Sequence, residues 1–311
     1  MKNLTKITAL ILVGLSNHPP TMNGLFVLFL LTYLVTVTVN LLIVVLVLSD
    51  YHLHNPMYFF LANLALIDVS FLSVTAPKML FNLVTKSQSI SLSACIAQVY
   101  FFVFFGSSEL FLLSAMSYDR YVAICHPLHY TQMMSWRACA HMAAAVWVIG
   151  CLNSLMHTLF LLRLSFCGPN IIYNFFCDLP NFFHIACIDP FINMLVEFIG
   201  GGGFGSGAFA CTLLPYVRIF TAIHKMSNIT GKLKAFSTCT SHLAVVFIFY
   251  GSLFAMYMVP TSSNIPIVNT LLSVISALIN PLLNPLIYSL RNKDLHAAFL
   301  RTFNCQILNQ E

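Results

Sequence analysis

The hydrophobic positions of the chain fall into seven long runs, separated by shorter polar stretches. A helix rises 1.5 Å per residue, so about 20 apolar residues are needed to cross roughly 30 Å of hydrocarbon. All seven runs reach that length. The pattern therefore predicts an all-α membrane protein, a bundle of seven transmembrane helices (spans one to seven) at about residues 25–48, 57–83, 95–124, 138–161, 194–222, 235–259 and 267–290.

The segments before and after the bundle are predicted to be short tails. Lys2 and Lys6 precede an apolar stretch, as in a signal peptide, but no small-x-small cleavage site follows. We therefore expect residues 1–24 to form an uncleaved extracellular tail, with a glycosylation acceptor at Asn3. Residues 291–311 are expected to form a cytoplasmic tail with a short amphipathic helix.

The composition supports a membrane protein and sets its orientation. Hydrophobic residues make up 59% of the 311 positions and charged residues only 7%, whereas a soluble protein carries about a quarter charged residues. The net charge of +5 is interpreted as membrane topology, with no role in nucleic-acid binding. With the N-terminus outside, nine Lys and Arg residues lie on the inner side and five on the outer side. This excess predicts an extracellular N-terminus and a cytoplasmic C-terminus.

The same orientation divides the ten cysteines. Cys95, Cys167, Cys177 and Cys187 fall outside, where disulfide bonds persist. Four thiols allow three pairings, and the sequence alone does not choose among them.

An acid–base pair closes the third apolar run. Asp119 and Arg120 lie within the stretch Met116 to Tyr130, at the cytoplasmic end of span three. A charged side chain at the bilayer centre costs roughly 2.5 to 3.5 kcal/mol on insertion scales. The pair could mark a membrane boundary or a working site, and we interpret it as both.

Two further acids lie in the middle of predicted spans. Asp68 is in span two and Glu109 in span three, where ionisable residues are functional by default. Two neighbouring carboxylates in a low dielectric cannot both stay charged, so one is protonated or a metal ion is shared. Asn40, Asn280 and Asn284 could supply oxygens or hydrogen bonds nearby.

Several motifs, in the right order, resemble a known family. Asp119-Arg120-Tyr121 closes span three and Asn284-Pro285-Leu286-Ile287-Tyr288 closes span seven, as in rhodopsin-like (class A) G-protein-coupled receptors. Further stretches narrow the resemblance to odorant (olfactory) receptors: Pro56-Met57-Tyr58-Phe59-Phe60-Leu61, Met116 to Tyr130, Lys234-Ala235-Phe236-Ser237-Thr238-Cys239, and Ile287-Tyr288-Ser289-Leu290-Arg291-Asn292-Lys293-Asp294.

The chain departs from the family pattern at a few positions. Span five is unusually rich in glycine, which predicts a kink or close packing through small residues. The departures are Val39, Ser117, Asn174 and Pro215, and the glycines are Gly200, Gly201, Gly202, Gly203, Gly205 and Gly207.

The resemblance implies a receptor in the plasma membrane of sensory cilia that couples a small hydrophobic odorant to a stimulatory olfactory-type G protein and cyclic AMP signalling. Asp119 would hold Arg120 inward until activation frees it for the G protein. The residues expected to act in this switch are Asp119, Arg120, Tyr121, Tyr216, Asn284, Pro285 and Tyr288.

The ligand pocket is expected in the outer half, between spans three, five and six. Its lining is apolar, with a few hydroxyls and no acidic or basic anchor, which favours small neutral ligands. Helical spacing and the resemblance together select Phe102, Val103, Gly106, Ser107, Phe204, Tyr250, Leu253, Phe254 and Tyr257.

The resemblance also implies a cation site and a pairing of the outer cysteines. A sodium ion would lie among Asp68, Glu109, Asn280 and Asn284, the alternative being a protonated structural acid. No other cofactor is expected. The family pairing is Cys95 with Cys177 and Cys167 with Cys187, and the competing bridge is Cys95 with Cys187.

Two other functions stay open at this point. A transporter or channel could use Asp68 and Glu109 as an ion path, and the same receptor could serve chemosensation outside the nose. An enzyme is not expected, because the sequence contains no Gly-x-Ser-x-Gly, His-Glu-x-x-His, phosphate-binding loop or Cys-x-x-Cys motif.

Overall fold

The computed structural model describes residues 7–15, 18–167, 169–258, 266–290 and 292–308. Seven helices in these residues are long and apolar enough to cross a membrane, so the predicted fold class is confirmed. Spans one to six are Pro19–Ser49, Pro56–Thr85, Leu92–Cys125, Trp136–Leu162, Phe191–Lys225 and Ile229–Met258, and span seven runs through Pro266–Val274, Ile275–Ile279 and Asn280–Leu290. Asn3 and the side chain of Tyr257 lie outside the described residues.

Local capping explains where several spans begin. The side chains of Asn55, Ser91 and Ser135 each accept a hydrogen bond from the backbone N–H three residues later, at 3.2 to 3.4 Å. Such caps satisfy N–H groups that a helix start leaves unpaired. Span one begins at Pro19, six residues before the predicted start, because proline suits the first helical turn.

Spans five and seven are interrupted by wider π-helical turns. In span five the turn is Phe198–Gly203, between the α-helical segments Phe191–Glu197 and Phe204–Lys225. In span seven the turn is Ile275–Ile279, two residues before Pro281, whose missing N–H leaves a gap in the hydrogen-bond ladder. Each π turn changes the direction in which the following side chains point.

A small sheet covers the outer end of the bundle. Strand β1 (Ala9–Leu12) pairs antiparallel with β2 (Ser89–Ser91) and parallel with β3 (Ile171–Ile172). The side chains of Leu10 and Leu12 in β1 are fully buried. The sequence analysis did not predict these strands, because two to four residues are too few to show an alternating pattern.

Two disulfide bonds attach the long outer loop to the bundle. Cys95 is bonded to Cys177 and Cys167 to Cys187, with Cα atoms 5.5 and 5.3 Å apart. These are the pairs that the resemblance implies, and the competing Cys95–Cys187 bridge is not formed. The first bond fixes the loop to the outer start of span three.

The C-terminal helix Lys293–Leu308 is tied to the loop between spans one and two. Arg301 Nη2 lies 2.7 Å from Asp50 Oδ2, and the backbone N–H of His52 donates to Asp50 Oδ1 at 3.0 Å. Burial alone would favour the neutral acid, but the hydrogen bonds from His52 and Arg301 outweigh it and lower the pKa of Asp50 to about 2. Asp50 is therefore charged at any physiological pH.

Candidate functional site

The acid–base pair at the end of span three forms a closed hydrogen-bonded group. Arg120 Nε donates to Asp119 Oδ2 at 3.0 Å, and Arg120 Nη2 donates to the same oxygen. The Tyr130 hydroxyl, from the loop that follows, donates to Asp119 Oδ1 at 2.7 Å. Asp119 is only 1% exposed, so both carboxylate oxygens are engaged out of reach of water. Such charge-assisted bonds are about twice as strong as neutral ones.

Next to this group, His242 joins the cytoplasmic halves of spans five, six and seven. The Tyr216 hydroxyl lies 2.7 Å from His242 Nδ1, and the ring of Tyr288 lies 6.4 Å from that of His242. The Tyr288 hydroxyl is buried with no hydrogen-bond partner among the described residues. Tyr216 and Tyr288 therefore meet at His242, and neither hydroxyl bonds to Arg120.

The sequence analysis missed His242, although a signal was present. A histidine in the middle of an apolar span is an ionisable residue in hydrocarbon, and such residues are functional by default. Tyr121, by contrast, turns away from the acid–base pair. Its hydroxyl lies 3.0 Å from His126 Nε2, and its ring packs against the cluster of Ile219 and Ile223 in span five.

A second polar centre lies deeper in the bundle, between spans two, three and seven. Asp68 and Glu109 are 0% and 1% exposed, and Asn284 Nδ2 donates to both, at 2.9 Å to Asp68 Oδ1 and 2.9 Å to Glu109 Oε1. The other carboxylate oxygens, Asp68 Oδ2 and Glu109 Oε2, have no partner among the described residues. One amide thus bridges two acids that face no described basic side chain.

The neighbouring asparagines are engaged in other ways. Asn280 Nδ2 donates to Ser252 Oγ at 2.8 Å, while Asn280 Oδ1 is buried without a described partner. Asn40 Nδ2 donates to the Pro281 carbonyl at 3.1 Å and so binds the irregular part of span seven. Asn280 therefore keeps a free oxygen, whereas Asn40 serves to hold span seven in place.

The span-three candidates for ligand binding point in different directions. Phe102 packs against Phe71 and Phe176 with tilted rings, each at 4.8 Å between ring centres, and a Cβ on Gly106 would lie 3.5 Å from the Phe71 ring. Ser107 instead accepts a hydrogen bond from Asn153 in span four at 2.8 Å. Residues four apart share a helix face, whereas the next residue is rotated by about 100°. The structure therefore does not place these candidates on one face.

Val103 also lies apart from the expected pocket. It packs against an outer cluster that includes Cys95, Val99 and the disulfide-bonded Cys177. This cluster joins the outer end of span three to the covering loop.

The ligand-binding candidates on spans five and six also point in different directions, some into the bundle and some outward. Tyr250 is buried, and its hydroxyl donates to the Leu110 carbonyl at 3.4 Å and lies 3.5 Å from Thr212 Oγ1. Leu253 packs against the central core. Phe204 and Phe254 are 51% and 66% exposed, so both face outward from the bundle. For Phe204 the reason is the π turn directly before it.

One cavity opens elsewhere at the outer end. It is small and partly open to solvent, and it lies between the N-terminal segment, spans one and two, and the outer loop. Its walls include Met22, Met79, Asn82 and Phe175, none of which is a ligand-binding candidate.

The architecture defines a class of protein. The chain superimposes on the crystal structure of squid rhodopsin with a TM-score of 0.70, covering 93% of this chain and 87% of that one, at 18% sequence identity. An identity this low establishes the fold alone. Together with seven apolar helices, it defines a seven-helix bundle of the G-protein-coupled receptor type.

Sequence comparison identifies the family. The profile described as "Olfactory receptor" matches residues 29–306. The chain is 48% identical to olfactory receptor 1G1 of Gorilla gorilla gorilla, over 96% of this chain and 95% of that protein. It is 45% identical to olfactory receptor 1E16 of Mus musculus, over 97% and 96%. The chain belongs to the olfactory receptor family, and the resemblance found in its motifs is confirmed.

Family membership carries several general properties. Olfactory receptors are multi-pass G-protein-coupled receptors of the plasma membrane and are not enzymes. The family implies an odorant ligand and a heterotrimeric G protein as partners. A transporter or channel is accordingly no longer the competing class.

Proposed function

We propose that this receptor binds small, neutral, largely hydrophobic volatile ligands in the outer half of the bundle and activates a stimulatory olfactory-type G protein, raising cyclic AMP. Sensory cilia are the proposed site of action. The class of ligand rests on the apolar, aromatic surroundings of Phe102, Tyr250 and Leu253. A ligand acts by binding one of two conformations more tightly, so the shift it causes is set by that difference in affinity.

The closed group around Asp119 carries the proposal. Arg120 is only 15% exposed, and its guanidinium is bonded to Asp119, whose other carboxylate oxygen accepts a hydrogen bond from Tyr130. A buried arginine released from its partner presents a planar fork of donors, which suits backbone carbonyls at the end of a partner helix. In this conformation the hydrogen-bond donors of Arg120 are therefore not available to a G protein.

Release would involve the tyrosines of spans five and seven. Tyr216 is held by His242, and the Tyr288 hydroxyl is buried without a described partner. Movement of span six would carry His242 with it and free the Tyr216 hydroxyl. Both hydroxyls could then turn toward Arg120 and stabilise it away from Asp119. Pro285, in the last segment of span seven, would set the helix geometry that carries Tyr288 there.

Arg120→Ala tests this mechanism. We expect ligand-driven cyclic AMP to fall to the level of untransfected cells, because the group that contacts the G protein is lost. Arg137→Ala is the matched control, since Arg137 is an exposed arginine on the same side and makes no ion pair among the described residues. Cell-surface receptor is measured for both variants. Intact cyclic AMP in Arg120→Ala at equal surface level would show the mechanism to be wrong.

We also propose that a sodium ion binds at the inner acids. The unpartnered oxygens Asp68 Oδ2, Glu109 Oε2 and Asn280 Oδ1 are a donor set that suits a hard cation. A bound sodium ion would offset one of the two negative charges and favour the conformation shown. Replacing sodium chloride by choline chloride should then lower the melting temperature of the purified receptor, but not that of Asp68→Asn. Equal melting temperatures in both salts would favour a protonated acid instead.

A further inference from the structure

Two of the positions at which the chain departs from the family pattern flank one contact between spans three and five. Ser117 of span three is fully buried, and its hydroxyl donates to the Thr212 carbonyl of span five at 2.6 Å. Pro215 comes three residues after Thr212, inside the same α-helical segment Phe204–Lys225. The unusual serine therefore holds span five directly before the unusual proline.

A second serine of span three repeats this contact one turn further out. Ser114 is three residues before Ser117, so the two side chains share a face of span three. The Ser114 hydroxyl donates to the Ala208 carbonyl of span five at 3.0 Å and lies 2.8 Å from Thr212 Oγ1. Hydrogen bonds of this kind hold neighbouring helices together in a membrane. Span five is thus bonded to span three from Ala208 to Thr212.

Directly after this bonded stretch, span five lacks a backbone hydrogen bond. Pro215 has no N–H, so it donates no helical hydrogen bond to the carbonyl of Cys211, four residues before it. Cys211 is exposed, whereas Thr212, the residue that Ser117 contacts, is fully buried. Helices bend at prolines because of this missing bond. Span five can therefore bend at Pro215 while Ser117 fixes it at Thr212.

The part of span five beyond Pro215 carries a residue of the proposed activation switch. Tyr216 follows Pro215 directly and is only 3% exposed. Arg120 is three residues after Ser117 on span three, and Tyr216 is four residues after Thr212 on span five. About one helical turn therefore separates the Ser117–Thr212 bond from both switch residues. Pro215 is the weak point between that bond and Tyr216.

We infer that Ser117 is a positioning residue for Tyr216. It fixes the outer part of span five against span three, so the movement of Tyr216 toward Arg120 is made by bending at Pro215. The inference rests on the proposed function for the role of Tyr216 and adds the place at which span five moves. Without the Ser117 bond, span five could shift as a whole, and the movement would no longer depend on Pro215.

Pro215→Ala tests the bend. The melting temperature of the purified receptor should stay level or rise, because alanine favours a helix and proline does not. Ligand-free cyclic AMP per receptor at the cell surface should nevertheless fall by roughly threefold or more, because the stiffer helix disfavours the active conformation. Pro77→Ala is the matched control, since Pro77 is an exposed proline inside span two, and it should leave cyclic AMP unchanged.

Adding Ser117→Ala to Pro215→Ala supplies the decisive comparison. The two substitutions should not be additive. The double variant should recover roughly half or more of the cyclic AMP lost in Pro215→Ala, because a span five without its anchor no longer needs the bend. Ser206→Ala is the matched control, since the Ser206 hydroxyl donates to the Gly203 carbonyl of its own span at 3.0 Å. Combined with Pro215→Ala, it should recover nothing.

A distance measurement reports the movement without a G protein. Spin labels are placed on non-canonical side chains introduced at Leu128 and Lys225, two exposed positions at the cytoplasmic end, so that the cysteines stay untouched. Double electron–electron resonance on the purified receptor gives the distribution of distances between the labels. The distribution should be narrower in Pro215→Ala than in the original chain, and broad again when Ser117→Ala is added.

The outcomes separate the role of Ser117 from the proposed function. Equal distributions in the original chain and Pro215→Ala overturn the inference, as does a narrow distribution that persists when Ser117→Ala is added. A narrower distribution in Pro215→Ala with unchanged cyclic AMP also overturns it, because the bend would then not serve the switch. The expected distributions in a receptor that never raises cyclic AMP would instead contradict the proposed function and leave the anchoring by Ser117 standing.

Discussion

The two ends of the bundle are held together in different ways. At the cytoplasmic end, Asp119, Arg120 and Tyr130 form one group of directional, charge-assisted hydrogen bonds. In the outer half, Phe102 lies among aromatic rings at 4.8 Å, and the buried oxygen of Glu197 has no described partner. Directional bonds define a single arrangement, whereas apolar packing with spare acceptors can receive guests of several shapes.

Under the proposed function, this difference separates the output end of the receptor from its input end. The output must present the same surface to one partner, so a saturated network that holds one geometry suits it. The input must accept a ligand, so buried acceptors without hydrogen-bond partners suit it, although they lower the free energy of unfolding. Substitutions should accordingly act through conformational bias at the cytoplasmic end, and through packing and charge at the outer end.

The largest effect is expected where the outer half is packed most tightly. A Cβ on Gly150 would lie 2.2 Å from Ser108 Oγ and 3.0 Å from the Phe104 carbonyl oxygen, so Gly150→Ala must push spans three and four apart. Overpacking of this kind costs typically 1 to 3 kcal/mol, and a backbone contact places it at about 3 kcal/mol. Surface level and melting temperature should both fall.

Gly251→Ala provides the comparison, because nothing lies within 4 Å of a Cβ at Gly251 in span six. It should leave both measurements close to those of the original chain. If the Gly150→Ala receptor were as stable as Gly251→Ala, spans three and four would not be in close contact at Gly150. The tight packing inferred for the outer half would then be wrong.

The next effect concerns acid at the outer end. Burial raises the pKa of Asp178 from 3.8 to about 6, against the hydrogen bond from Asn181. The folded state therefore binds the proton more tightly, and the contribution of Asp178 to the free energy of unfolding should fall as the pH rises from about 4 to about 6, then stay level. At about 1.4 kcal/mol for each pKa unit, the change is at most about 3 kcal/mol.

Melting temperatures between pH 4 and 8 check this. Asp178→Asn should reduce the slope between pH 4 and 6, whereas Asp189→Asn, at an exposed position in the same loop, should keep it. A slope shared equally by all three receptors would contradict the assignment to Asp178. Asp50 gives no slope in this range, because its pKa of about 2 keeps it ionised throughout.

The contrast between the ends also explains what the sequence could predict. Span boundaries followed from apolar runs, and the Asp119–Arg120 pair from two charges at the end of one run, since both signals are local. The outward turn of Phe204 depends on the π turn Phe198–Gly203, which no hydrophobic pattern encodes. The buried, unpartnered oxygens of Asn193 and Glu197 in span five likewise depend on packing that forms only in the folded bundle. Long-range packing is what single-sequence reasoning lacked.

The smallest expected effect tests whether the hydrogen bond from Tyr130 helps to keep Asp119 and Arg120 paired. Tyr130→Phe removes the hydroxyl that donates to Asp119 Oδ1 at 2.7 Å but keeps the ring and the Arg120 pair. A hydrogen bond to a charged group contributes about 1.5 kcal/mol, so the balance between held and released Arg120 should shift roughly tenfold. Ligand-free cyclic AMP should rise accordingly, with surface level unchanged.

Tyr118→Phe is the matched control, since Tyr118 is partly exposed and its hydroxyl bonds to no described residue. Equal ligand-free activity in the two variants would mean that Tyr130 does not restrain Asp119, and that the closed group depends on Arg120 alone.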